Sequence, residues 1–342
     1  MNYVGVDLPK QTISVGVVGQ ARDVRCSRRF RCDDELGIVE FFTQLGPLEV
    51  VVEATAGYEW FLRLVEPLAR RVVLARPGKL RVIAESTRKS DKLDARVLAE
   101  FLARDMIPEA HRPTPRLRSH RSLVRHRQYL QQRITATKSK LRRILSDYNA
   151  DRRDLFTQAG RQALAEMELS ATDRFCVDEL SQRLDFLQLR LERANGRLRQ
   201  FAAEGTDAEQ QARSLLRSIP GVGEITSEVA LAELGDVRRF RSAKQAVAYA
   251  GLAPGWRESA GKRKDLPIEK KGSRLLRWVL IESAWQFVRY DPAWRETFAR
   301  LAARVGKKKA ITAIARRLLG VMVAILKSGR PYARAALDPT TL

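Results

Sequence analysis

Cysteine is almost missing: Cys26, Cys32 and Cys176 are the only three in 342 residues, an odd number with no C-x-x-C spacing. That excludes a disulfide framework and argues against a structural zinc site. Histidine is equally scarce, and His111, His120 and His126 show no metal spacing such as H-E-x-x-H, so they read as auxiliary phosphate contacts or solvated side chains. Long apolar runs are lacking too. The most apolar stretch, Ala310 to Leu326, is broken by Arg316 and Arg317 and reads as an amphipathic helix, so no membrane span or membrane partner is expected. The start, MNYVGVDLPK, has no secretory apolar core and runs straight into a strand, which predicts a cytoplasmic protein. A G-x-x-x-x-G-K-[ST] phosphate loop is absent, so no external energy source is visible.

Acidic residues are in short supply as well. Lys and Arg outnumber Asp and Glu by 63 to 40, a formal charge of +23. A surface with that excess repels itself unless a polyanion neutralises it, and nucleic acid is the expected partner. What is present suits a folded protein: 44% hydrophobic and 30% charged residues, in a chain long enough for two or three domains.

The first hundred residues alternate short β-branched runs with helical patterns. YVGVD, TISVGVV and a run from Asp23 to Phe30 predict an antiparallel meander, followed by a helix from Asp34 to Leu45 with an acidic cap. EVVVEAT (49–55) is a continuous apolar run of the kind a strand buried on both faces shows. Helical patterns at Gly57 to Arg71 and Lys92 to Arg104 flank the strand VVLAR. The order strand, strand, strand, helix, strand, helix, strand, helix is that of a ribonuclease-H-like domain.

Four acids stand out in this α/β region. Asp7 ends the first strand and Glu53 ends EVVVE, and neighbouring strands lie about 4.8 Å apart, close enough for two strand-end acids to share a cation. Asp91 and Asp94, three residues apart at a helix start, face the same way. Oxygen ligands in this number suit Mg2+ or Mn2+, and a pair of such ions can hold the attacking and leaving oxygens of a phosphodiester exchange. Taken singly, Asp91 reads equally as a helix cap and Asp94 as a partner of Arg96.

From His111 to Ala150 there are 11 Lys and Arg against the single acid Asp147. Arg112, Arg116, Arg118, Arg121, Arg125, Arg127, Arg133, Lys138, Lys140, Arg142 and Arg143 are therefore expected to form a phosphate-facing surface. Leu180, Leu184, Leu187, Leu191, Ala194, Leu198 and Phe201 then step by four and three, a heptad seam for a helical hairpin or an intermolecular coiled coil. Gly196 and Gly205 suggest a boundary after it. IPGVG places Gly221 and Gly223 in a turn between two helical patterns, resembling a helix-hairpin-helix element whose amides can meet a phosphate.

VGVDLPKQTISVGVV, VVVEATAGYEW, RKSDKLDARVLAEFL, IPGVGEITSEVALAELGD, FRSAKQAVAYAGLAP and ESAGKRKDLPIEKKGSRLLRWVLIESAW together resemble the DEDD/serine insertion-sequence transposases, the family numbered one hundred and ten. The likeness covers nearly the whole chain. It implies an α/β RuvC-like domain over 1–110, a basic helical and coiled-coil middle over 111–210 and a mostly helical serine transposase domain over 211–342. It implies that Asp7, Glu53, Asp91 and Asp94 are the DEDD acids and that Ser259 is the covalent nucleophile, with Lys262, Arg263 and Lys264 supplying positive field at the phosphate. It also implies recombination of DNA, element ends with target, guided by an element-encoded bridge RNA. Where the family commonly has Ser-Gly-Gly-Lys, this chain has Ser259-Ala260-Gly261-Lys262. Because Ser259 is far from the acids in sequence, a site completed between protomers is expected, with at least a dimer and a tetramer on synapsis. Two other readings stay open: a metal-dependent nuclease or junction resolvase that activates water, and a nucleic-acid-binding protein without chemistry.

Overall fold

The computed structural model describes residues 1–21, 23–54, 57–76, 91–259 and 262–333, with the side chains of 91–94, 262, 263 and 265 also outside the description. The chain forms two compact units, Met1–Arg112 and Pro113–Leu342, so the helical middle and the C-terminal region fall within one unit.

The first unit is a mixed sheet of β1 (Asn2–Asp7), β2 (Thr12–Val18), β3 (Val24–Arg31), β4 (Leu48–Glu53) and β5 (Arg71–Ala75), in the order β3-β2-β1-β4-β5. The β1–β2–β3 meander is antiparallel, whereas β4 and β5 run parallel to β1. This layout is compatible with a DEDD nuclease-like domain. Alternation along the strands assigns the two faces. Val4, Val6, Ile13, Val15, Val17, Val50 and Val52 pack on one side with Ile38, Phe41 and Phe42 of α1 (Glu35–Gln44) and Phe61 and Leu62 of α2 (Glu59–Val65). Asp34 caps α1 by accepting from the Gly37 amide.

The other face carries α3 (Asp91–Ala103), and glycine is what lets it sit there. Gly5 and Gly16 are register partners on β1 and β2. A Cβ on Gly5 would lie 2.0 Å from the Ala95 carbonyl oxygen, and one on Gly16 would lie 2.8 Å from Arg96 Cα, so the helix backbone rests directly on the pair. Tyr3, Val51, Leu98 and Leu102 fill the rest of this face. The continuous apolar reading of β4 follows, since Val50 and Val52 meet one helical layer and Val51 the other.

The second unit begins with two long helices, α4 (Pro115–Asp147) and α6 (Ala171–Ala203), joined through the short α5 (Gln158–Glu166). The heptad seam packs within the chain: Leu180, Leu184, Leu187, Leu191 and Ala194 cluster with Leu130, Ile134, Leu141 and Leu145 of α4. Of the two uses open to that seam, the structure adopts the hairpin. Helix α6 continues through Gly196 and ends at Ala203, so the helix breaks next to Gly205 and not at Gly196. Nothing lies within 4 Å of a Cβ placed on Gly196, so a lone mid-helix glycine costs only its propensity, about 1 kcal/mol, which the seam outweighs.

The rest is a helical core of α7 (Asp207–Arg217), α8 (Glu224–Leu234), α9 (Ala243–Tyr249), α10 (Arg274–Tyr290), α11 (Pro292–Val305) and α12 (Lys307–Ser328). Helix α12, read from the sequence as an amphipathic helix, buries Ile311, Ile314, Leu318, Leu319, Val321, Met322 and Ile325 in this core. Burial holds Arg316 and Arg317 below the usual arginine range. No helix among the described residues is long and apolar enough to cross a membrane.

Candidate active site and nucleic-acid interface

The parallel register of β1 and β4 pairs Val6 with Val52, so the next residues, Asp7 and Glu53, end their strands abreast. Both lie on the α3 face, because Asp7 is two residues from Gly5 and Glu53 two residues from Val51. Helix α3 runs antiparallel to β1: Gly5 meets Ala95 and Ala99, while Tyr3, earlier in the strand, clusters with Phe101 and Leu102. Its first turn, with the backbone of Asp91 and Asp94, therefore lies toward the strand ends that carry Asp7 and Glu53. The side chains of Asp91 and Asp94 lie outside the described residues. Among the described residues no group of three or more His, Cys, Asp or Glu side chains gathers as a metal cage.

One neighbour of this edge escaped sequence reasoning. Ser14 is the register partner of Asp7 on β2, only 2% exposed, and its buried hydroxyl has no hydrogen-bond partner among the described residues. The signal was a lone hydroxyl in TISVGVV, a strand otherwise made of apolar residues, glycine and an end threonine.

Ser259 occupies a different kind of place. It ends β6 (Pro254–Ser259), which pairs antiparallel with β7 (Lys262–Ile268) in a two-stranded hairpin, and its own partner is Lys262. Ser259 and Lys264 are exposed; Ala260 and Gly261, between the strands, and the side chains of Lys262 and Arg263 lie outside the described residues. A two-stranded hairpin is marginal by itself, and this one is rooted at its base. Gly251 and Gly272 have φ of +70° and +85°, and a Cβ on Gly251 would stand 1.7 Å from the Lys271 carbonyl oxygen. Arg277 of α10 donates to the carbonyls of Ala250, Lys271 and Gly272.

The basic segment divides in two. Arg112, in the first unit, pairs with Glu59 and Glu66. On α4, Arg116 makes a two-pronged bond to Glu209 at 2.6 and 2.7 Å over the Phe201 ring, and Arg118 donates to the Pro113 carbonyl. Arg121 donates to the carbonyls of Ala232 and Glu233, Arg125 binds the Glu233 carboxylate with two bonds, and Arg127 donates to Asn195 Oδ1. In the first half of α4, then, the arginines expected to face phosphate are engaged with acids and carbonyls of the same chain, while Arg125 stays exposed. Apart from Pro113, those partners lie some 70 to 110 residues away, invisible to a local charge count. Farther along, Lys138 and Arg142 lie over Phe156, and Arg142 also pairs with Asp151. Arg133, Lys140 and Arg143 are exposed.

His120 is also corrected. It is buried on the Phe201 ring, and its Nε2 lies 2.9 Å from Glu228 Oε2, though the N–H is not aimed along that line. Arg213 donates to both oxygens of the same carboxylate at 2.8 and 3.3 Å. Burial pushes the Glu228 carboxyl up, but the approach of His120 and the bonds and charge of Arg213 outweigh it and hold the group below the usual carboxylate range.

The turn between α7 and α8 contains both glycines expected to meet phosphate. Gly221 has φ +81°, and a Cβ there would strike Gln286 of α10 at 2.7 Å, so it is required for packing. Gly223 precedes α8 with open space beside it.

Comparison with known proteins gives these arrangements a family. Residues 4–150 match the DEDD transposase family of the IS110 type, and residues 213–299 match the family described as Transposase IS116/IS110/IS902. This chain belongs to the IS110 family of insertion-sequence transposases. It is 27% identical to a probable family 20 transposase of Pseudomonas aeruginosa, over 84% of this chain and 85% of that one. It is 27% identical to the pilin gene-inverting protein of Moraxella lacunata, over 96% and 97% of the two chains. With the transposase for insertion sequence element IS1111A of Coxiella burnetii the identity is 24%, over 97% and 91%. The DEDD-type match points to dependence on a divalent cation.

Proposed function

We propose that this transposase cuts and rejoins DNA strands through a phosphoserine intermediate at Ser259, with Asp7, Glu53, Asp91 and Asp94 as the ligands of Mg2+ or Mn2+. The observation that carries the metal half is the pairing of Asp7 and Glu53 abreast on one face of the sheet, beside the start of α3. Carboxylate oxygens are the donors such hard cations prefer. When bound, the cation neutralises charge that builds on the scissile phosphate. In this reading residues 1–110 act as the RuvC-like domain and 211–342 as the serine domain.

The Ser259 hydroxyl gives up its proton as Oγ bonds to phosphorus, and the P–O bond to the leaving oxygen breaks, that oxygen taking up a proton. One strand end stays esterified to the protein. The released hydroxyl, or that of another strand, attacks the ester, and Ser259 regains its proton. Bond energy is conserved, so no triphosphate is needed. Exposure of Ser259 at the end of a rooted hairpin supports access to a large substrate, and the exposed Lys264, opposite Arg257 in the same hairpin, supports attraction of phosphate. A relative named for inverting a pilin gene supports strand exchange over hydrolysis, since inversion needs every cut end rejoined.

DNA, as element ends and target, is the substrate, and an element-encoded RNA selects the sequences by base pairing, leaving the protein to read backbone shape. Arg133, Lys140 and Arg143 are exposed α4 cations open to that backbone. Synapsis of two sites calls for at least a dimer and, with both sites bound, a tetramer, held by contacts outside the α4–α6 seam.

The test uses purified protein, Mg2+, labelled element DNA and the transcribed noncoding flank, scored for a DNA adduct that survives denaturing detergent. The wild type forms it, and Ser259→Ala and Asp7→Asn do not. Free cleaved DNA that persists in Ser259→Ala would replace this reading with hydrolysis by water at the acids. No metal-dependent product in the wild type would leave nucleic-acid binding alone.

A further inference from the structure

The buried Ser14 hydroxyl has no hydrogen-bond partner among the described residues. Ser14 is only 2% exposed, and a buried hydroxyl left unbonded costs about 1–3 kcal/mol. Alanine or valine at this position would avoid that cost. The location of the hydroxyl explains why it is there. Ser14 stands directly opposite Asp7 across the antiparallel β1–β2 ladder, and directly opposed residues project to the same face with Cβ atoms about 4.5–5.5 Å apart. Ser14 is also two residues from Gly16, whose missing Cβ would meet α3, so Ser14 and Asp7 both face the α3 side. At that separation a rotation of the two side chains brings Oγ within hydrogen-bond distance of a carboxylate oxygen of Asp7.

We infer that Ser14 is a positioning residue for Asp7. Its hydroxyl donates to the Asp7 oxygen turned away from a bound divalent cation and holds the carboxylate in its ligating orientation. The inference rests on the proposed role of Asp7 as a metal ligand. Groups that orient metal ligands typically change metal affinity by about 10- to 100-fold when removed. The burial of Ser14 makes the effect specific, because no water can replace the lost donor without a cavity to hold it.

The experiment measures Mn2+ binding to the full chain by electron paramagnetic resonance, and thermal unfolding without added metal, for the wild type, Ser14→Ala and Asp7→Asn. Ser14→Ala is expected to weaken Mn2+ binding about tenfold while leaving the metal-free melting temperature unchanged or raised, since an unbonded buried hydroxyl has been removed. Asp7→Asn is expected to weaken Mn2+ binding further. If Asp7→Asn loses binding while Ser14→Ala binds as the wild type does, the positioning role is wrong and the metal site stands. If Asp7→Asn also binds as the wild type does, the metal site falls and the role of Ser14 with it. A Ser14→Ala protein that melts markedly earlier and keeps its Mn2+ affinity would show a structural hydroxyl and overturn the inference.

Discussion

Gly5 shows how one missing atom positions a candidate active site. Any side chain there must displace the Ala95 carbonyl from 2.0 Å, and the neighbour is helix backbone, which cannot swing aside. Gly5→Ala is expected to destabilise the first unit by about 3 kcal/mol, the upper end of overpacking costs, and to abolish DNA cleavage by lifting the start of α3 from Asp7. Urea denaturation and the adduct assay check the two effects. At Glu228 the prediction concerns pH. Its carboxyl sits below the ordinary glutamate value of 4.5 when folded, so the unfolded chain takes up the proton first as pH falls. The stabilisation is complete above that value and is lost as pH drops through the folded pKa. Glu228→Gln removes the two-bonded carboxylate of the buried Arg213 and leaves it only Glu209 at 3.6 Å, and is expected to cost about 3 kcal/mol at pH 7, the lower end for breaking a buried pair. Urea titrations of wild type and variant should show that gap shrinking as pH is lowered below 4.5.

Among the elements, the α4–α6 hairpin and the Ser259 hairpin invite opposite tests. The seam of α6 is filled by Leu130, Ile134, Leu141 and Leu145 of the same chain, so its energy belongs to one protomer. Leu184→Ala, at a fully buried seam position, is expected to cost about 2–5 kcal/mol. The loss should stay constant across a hundredfold range of protein concentration, measured by chemical denaturation. A loss that grows on dilution would mean that the seam binds another chain. The Ser259 hairpin depends on its base. Arg277→Ala removes three carbonyl contacts there, and limited proteolysis should then cleave the β6–β7 segment faster while α10 and α12 stay protected. Strand cleavage should fall with it if the proposed nucleophile, Ser259, needs that fixed mounting.

For the whole molecule the governing quantity is the charge of +23. It predicts steeply salt-dependent nucleic-acid affinity, with each phosphate contact adding about 0.9 to the slope of log K against log salt. The structure redistributes that prediction along α4. Replacing the exposed Lys140 and Arg143 by glutamine should weaken DNA binding and flatten the slope by about one per contact made. Replacing Arg116, bound to Glu209 and Phe201, should lower the melting temperature instead. Fluorescence anisotropy over a salt series separates the two classes.

Much was legible before any coordinates. Strand alternation, the glycine and proline turns and the heptad steps predicted the meander, the buried strand β4, most helices and the strand-end positions of Asp7 and Glu53. These are local properties, set by which side chains face which way along one element. Pairings between distant segments were not legible. Charge counting missed the internal bonds of Arg116, Arg121 and Arg125 because their acceptors, Glu209, Ala232 and Glu233, are remote in the chain. His120 read as solvated because nothing near it in sequence announces Glu228. The seam residues allowed either a hairpin or a second chain, since a heptad specifies a surface and not its occupant. The sequence by itself determined the composition, the periodicities and the family motifs. Only the tertiary structure decided which cations have internal partners, which chain fills the seam and which serine stands buried beside Asp7, because each depends on contacts that folding brings together from remote positions.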